Sequence, residues 1–262
     1  ALTVAADTDL SIYSGKSLSG AITVTAGSLK LNKTGTLAST IAMSGGTLDT
    51  DASMTVSGAL SHTADITIDV ASSKTLTYSG TAISVGANTL TLSGGGGAWL
   101  VSGGLTLNDA SSKIELGMGI IVDSVSTSVD NSLGLHVRAG NATVSSLLVS
   151  NITPVAIDLG KSLYGAITVT NNGSLKLTKT GTLLASVSMS GGTLEADDSL
   201  TVTGALTHTG NITIDVADTK TLTYSGTAIS LGANTLTLTG GGSLVSGGLT
   251  LNDADSKLLL NS

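Results

Sequence analysis

Apolar and polar residues alternate with period two along most of this 262-residue chain. In Thr75-Leu76-Thr77-Tyr78 the pattern sends Leu76 and Tyr78 to one side and the threonines to the other. Ala166-Ile167-Thr168-Val169-Thr170 reads the same way. Period two carried by β-branched residues is the signature of a half-buried strand. No segment joins a 3.6-residue period to capping residues, so no helix longer than about two turns is expected.

The strand patterns recur. GSLKL (Gly27–Leu31), GTLDT (Gly46–Thr50), ITIDV (Ile66–Val70), NTLTL (Asn88–Leu92) and GLTLN (Gly104–Asn108) form one column, centred on Leu29, Leu48, Ile68, Leu90 and Leu107. A second column follows at Thr55-Val56-Ser57-Gly58, Thr77-Tyr78-Ser79-Gly80 and Leu100-Val101-Ser102-Gly103. The Ser-Gly endings mark corners, where glycine tolerates backbone angles that other residues resist. A step of about 20 residues is the coil length of a β-solenoid. The chain is therefore read as all-β, a parallel β-helix. One coil cannot bury its own apolar face, so coils stack at about 4.8 Å and stabilise their neighbours. Roughly 13 coils would make a rod on the order of 60 Å long.

A longer repeat lies above this rhythm. KTLTYSGTAISVGANTLTL (Lys74–Leu92) returns as KTLTYSGTAISLGANTLTL (Lys220–Leu238). The match extends over residues 21–116 and 166–260, near-identical stretches offset by about 145 residues, a period of about seven coils. Residues 117–165 join them and are read as connecting coils, since LGLHV and TVSSLLV remain apolar. The expectation is one continuous solenoid over residues 1–262. ALTVAADTDLSIY resembles GLTLNDADSKLLL in repeat phase, and no polar cap stands out. The reading is self-association end to end, or continuation in a longer chain.

Composition fits thin, matched layers. Phe and Cys are absent, with one Trp and one Pro among 34 Gly. Large aromatic anchors suit a globular core better than a stack of similar coils. Net charge is −7, with Arg138 the sole arginine and the lysines scattered, so nucleic acid is not an expected partner. No apolar run reaches the roughly 18 residues of a membrane helix, so no membrane insertion of this segment is expected.

Candidate chemistry is sparse. His62 and His208 occupy equivalent places in SHTADITIDV and THTGNITIDV and are read as solvated loop residues; His136 has no counterpart. Catalytic, cofactor and metal residues are all assigned as none. Outward-pointing Asp69 and Asp215 allow at most a weak surface Ca²⁺ contact, and the calcium nonapeptide GGxGxD is absent after Gly94. A polysaccharide-cleaving β-helix enzyme would need carboxylates converging with basic residues, which one arginine and scattered aspartates do not provide. Nor do helix and Lys-Ser/Thr signals make the Gly94–Gly97 run a phosphate loop.

Outward Thr-x-Thr pairs form the only candidate binding face, for ice or for surface glycans. They are Thr34/Thr36, Thr55 with Ser57, and Thr75/Thr77, repeated at Thr180/Thr182, Thr201/Thr203 and Thr221/Thr223. The column breaks at Leu100 and Leu244. Trp99 is an exposed-aromatic candidate for carbohydrate stacking but is missing from the second repeat. Sequons at Asn32, Asn141, Asn151, Asn172 and Asn211 matter only in a glycosylating host.

SGGTLDTDASMTVSGAL and GANTLTLSGGGGAWLVSGGLTLND resemble the repetitive stalks of bacterial surface β-solenoids, the autotransporter passengers and filamentous-haemagglutinin-like adhesins. That resemblance implies an exported, right-handed parallel β-helix at the cell surface or outside the cell. Its expected work is structural or adhesive, as a rod, stalk or filament. A ligand-binding solenoid is the alternative, with the enzyme third.

Overall fold

A computed structural model describes residues 1–95, 99–101 and 104–261, with Trp99 and Val101 described by backbone alone. Gly96 and Gly97 of the Gly94–Gly97 run, the whole Ser102-Gly103 pair, and the side chains of Trp99 and Val101 thus lie outside the described residues. The described chain is all strand and turn, with no helix. Every paired strand runs parallel to its neighbour, in about 13 stacked turns roughly 20 residues apart.

Alternation builds the walls as the pattern demands. Leu76 and Tyr78 are buried, as are Leu222 and Tyr224, while Thr75 and Thr77 are half-buried on the outer side. The first wall is a thirteen-stranded sheet running from Thr8–Leu10 to Lys257–Asn261. A second wall begins with Ser17–Leu18, Thr36–Leu37, Met54–Val56 and Thr75–Tyr78. A third, in the first repeat, carries Ala21–Val24, Thr40–Met43 and Leu60–His62. Between the repeats, the strands Ile121–Thr127, Ala142–Val149 and Ser162–Val169 each span the second and third walls at once. Ile121–Thr127 pairs with both Trp99–Val101 and Leu105–Leu107, straightening the corner that separates them elsewhere. A register shift between Val144 and Leu147 absorbs the mismatch.

Two column assignments need correction. Leu29, Leu48 and Ile68 do stack, but Leu107 is on the third wall, and the first wall continues through Leu92 to Leu116. In the second column, Thr77 pairs with Val101, and Leu100 lies inward beside Leu76. The reason is unequal turn length: the register partners Leu29 and Leu48 are separated by 19 residues and Asp69 and Ser93 by 24.

The Ser57-Gly58 corner and its counterpart at Gly204 work through space, not through angle. Gly58 and Gly204 have ordinary negative-φ backbones, yet a Cβ on either would sit 1.9 Å from the carbonyl oxygen of Ser39 or Ala185 in the turn below. The next corner glycines, Gly80 and Gly226, lie against the Tyr78 and Tyr224 hydroxyls. Those buried hydroxyls accept the Leu60 and Leu206 amides at 2.8 and 2.9 Å, and Tyr224 donates to the Thr227 carbonyl at 2.7 Å. Each tyrosine therefore fills the interior and pairs a backbone group that a sharp corner leaves out of the ladder. One apolar core, from Val4 to Leu236, runs the length of the stack.

Candidate functional site

The threonine face is narrower than its sequence column. Thr36, Thr55 and Thr77 are register partners and continue Ser17; Thr182, Thr201 and Thr223 repeat the arrangement above Ser162. Both ladders end on valine, at Val101 and at Val245, which is 54% exposed. The break thus falls one residue beyond Leu100 and Leu244, which are the inward neighbours. Thr75 and Thr221 lie on a different row, beside Trp99 and Ser243, and their amides donate to Ser53 and Ser199. Thr34 and Thr180 are exposed turn residues outside any strand. Thr203 follows the strand Leu200–Val202, and its hydroxyl is buried. All six ladder threonines are half-buried, so each row presents a strip of methyl and hydroxyl groups one residue wide.

A second constellation was not legible in the sequence. On the first wall the outward row runs Thr67, Thr91, Glu115, His136, Ala156. Glu115 is only 8% exposed. Lys113 and Arg138 each donate to one of its oxygens at 2.5 Å. His136 Nε2 lies 3.1 Å from Asp158, and the same Asp158 oxygen accepts Lys179 at 2.7 Å. His136 Nδ1 also lies 3.9 Å from Glu115, so residues scattered from 113 to 179 form one chain of polar and ionic contacts across four turns. Clefts of about 310 and 290 Å³ flank Glu115, one lined by Asp65, Thr67, Thr89 and Thr91, the other by Thr91, Gly117, Arg138 and Ala139. The second repeat places Leu259 where the first has Glu115.

Burial alone would raise the Glu115 carboxyl, but hydrogen bonds from Lys113 and Arg138 outweigh it and hold the group below the ordinary glutamate range. Lys179 does the same for Asp158, helped by His136. The sequence expectation that one arginine and scattered carboxylates stay apart is therefore corrected: stacking brings them together. They neutralise one another, and the result ties adjacent turns at their outer edge.

Several other carboxylates are also engaged. Lys30 bridges Asp49 and Asp51 at 3.7 and 3.0 Å, and Lys176 bridges Glu195 and Asp197 at 3.2 and 2.8 Å. Asp69, considered for Ca²⁺, accepts from Ser93, and Asp215 accepts from Thr239. Among the described residues, no group of three or more His, Asp or Glu is arranged to hold a metal ion.

The reading of His62 and His208 as solvated is overturned. They end the strands Leu60–His62 and Leu206–His208 on the inward phase, directly above Met43 and Met189. In each, Nδ1 lies 3.0 Å from a carbonyl oxygen, of Ala64 or Gly210, and Nε2 is buried without a partner. Sequence pattern hid this because the inward phase of a three-residue strand is not resolved by its own alternation.

No protein-family model, curated protein or solved structure matches this chain.

Proposed function

We propose that the chain is a structural repeat protein of a cell surface or the extracellular space, a stiff rod or stalk that spaces and presents what is attached to it. The observation that carries this reading is the single sheet of thirteen parallel strands, bonded turn to turn from Thr8–Leu10 to Lys257–Asn261. Such a stack resists bending because every turn is hydrogen-bonded and packed to the next. Its outer rows are mostly short hydroxyl side chains and compensated ion pairs, which suit a solvated shaft. Adhesion would act through those rows.

The test has two parts. Small-angle scattering should give a rod, with about 4.8 Å of length per turn. The chain should then be placed between a surface anchor and an epitope, and compared with a version lacking residues 21–165, the seven turns of one period. Epitope reach should fall with the turns removed while display persists. A compact particle in solution, or a reach independent of turn number, would overturn the proposal.

A further inference from the structure

The two inward histidines are built in the way that metal-binding imidazoles are built. A carbonyl oxygen only accepts hydrogen bonds, so the 3.0 Å contacts to Ala64 and Gly210 place the ring proton on Nδ1. Nε2 then carries a lone pair. A ligating histidine characteristically donates its other ring N–H to a carbonyl or carboxylate, which fixes the tautomer and aims the free nitrogen. Here both free nitrogens are buried and meet no donor. A buried acceptor left unpaired costs stability, and this chain has that cost twice, at equivalent places.

The neighbour in register is a thioether each time. Met43 pairs with His62, and Met189 with His208. Met43 and His62 also line one small cavity of about 90 Å³, together with Ser44, Ser61 and Thr63. An imidazole nitrogen and a thioether sulfur, with no carboxylate or thiolate, form a soft ligand pair. Zinc wants four N, S or O ligands, and calcium wants many oxygens, so this pair suits neither. Thioether and imidazole favour Cu(I), and Ag(I) shares its charge and its tolerance of few ligands.

We propose that Met43/His62 and Met189/His208 are two equivalent sites for a soft monovalent cation, Cu(I) or its redox-inert analogue Ag(I), held by His Nε2 and Met Sδ. The site is independent of the rod function.

The probe is silver nitrate in chloride-free buffer, followed by equilibrium dialysis and by nitrogen NMR of the imidazoles. The intact chain should bind about two Ag(I), with the Nε2 resonances of His62 and His208 shifting and those of Nδ1 moving little. Met43→Leu keeps the core volume and should leave one site; Met43→Leu with Met189→Leu should leave none, at unchanged circular dichroism. His62→Ala with His208→Ala provides the complementary loss. Anaerobic competition with a Cu(I) chelator should follow the same order. Absence of binding at micromolar silver would overturn the proposal. So would binding that survives the double methionine variant, which would place silver on exposed Met118 or on His136 instead.

Discussion

The matched repeats and the turns between them obey one rule inside and different rules outside. In both, inward positions are mostly apolar and stacked. The repeats cover their outer rows with Ser and Thr, and duplicate their Lys-carboxylate bridges, Lys30 with Asp49 and Asp51, Lys176 with Glu195 and Asp197. The turns from the end of the first repeat into the connecting segment replace the hydroxyl row with Glu115 and His136 and gather the ion-pair chain. They also expose Met118, Leu133, Leu148, Ile152, Leu159 and Tyr164; the other exposed large apolar residues described lie before residue 19 or after residue 244. Near-identity of sequence is therefore not what makes turns stack. The inward alternation is, and the outer face is free to vary as long as its charges are compensated.

The strongest challenge to that statement is a charge placed inside a repeat. Leu76→Asp or Leu222→Asp should cost more than about 4 kcal/mol, because a buried carboxylate there has no partner. Thr77→Asp, one residue away on the outer row, should cost under about 1 kcal/mol. Urea unfolding of the three variants measures the gap, and similar midpoints would mean that the inward phase does not govern stability.

The corner glycines come next. Gly58→Ala and Gly204→Ala each force a Cβ against a backbone carbonyl that cannot retreat without breaking the ladder, and should cost about 2–3 kcal/mol. Comparable losses at both sites would confirm that the repeats share this constraint.

Tyr78→Phe and Tyr224→Phe leave the Leu60 and Leu206 amides without an acceptor. Each should cost about 1–2 kcal/mol, and the double variant should be close to the sum, since the sites are far apart.

The turns where the first repeat meets the connecting segment are probed by pH. The folded Glu115 carboxyl is depressed below its ordinary 4.5, so its contribution is present above that value and fades as pH falls further, through the depressed value. Asp158 behaves likewise below 3.8. Protection against hydrogen exchange at residues 113–116, corrected for the intrinsic rate at each pH, should therefore fall on acidification more than at the matching strand Lys257–Asn261, where Leu259 stands. Glu115→Gln should flatten this dependence. Its effect on stability at neutral pH should be modest, about 1–2 kcal/mol, because Arg138 and Lys113 remain partly solvated.

Much of the fold was legible because a strand reports its own phase. Thr75–Tyr78 and Ile66–Val70 show which residues turn inward without knowledge of any neighbour, and the repeat length follows from counting. The short strand Leu60–His62 carries too few residues to report its phase, so its histidine was misread. The threonine rows were legible only in part: Thr36, Thr55 and Thr77 share a ladder, but Thr75 has the same spacing and lies on another row.

By itself the sequence determined that this chain forms a parallel stack of short strands, since period two, β-branched residues and a repeat of about 20 residues admit few other ways to bury the apolar side. Tertiary structure alone decided which turn lies above which residue. Turn lengths vary, and register is set where a corner glycine admits a carbonyl or a tyrosine hydroxyl catches an amide. Those contacts join residues some 20 positions apart. That is why Glu115, Arg138, His136 and Asp158 meet, and why His62 stands over Met43, when nothing in their local sequence asks for it.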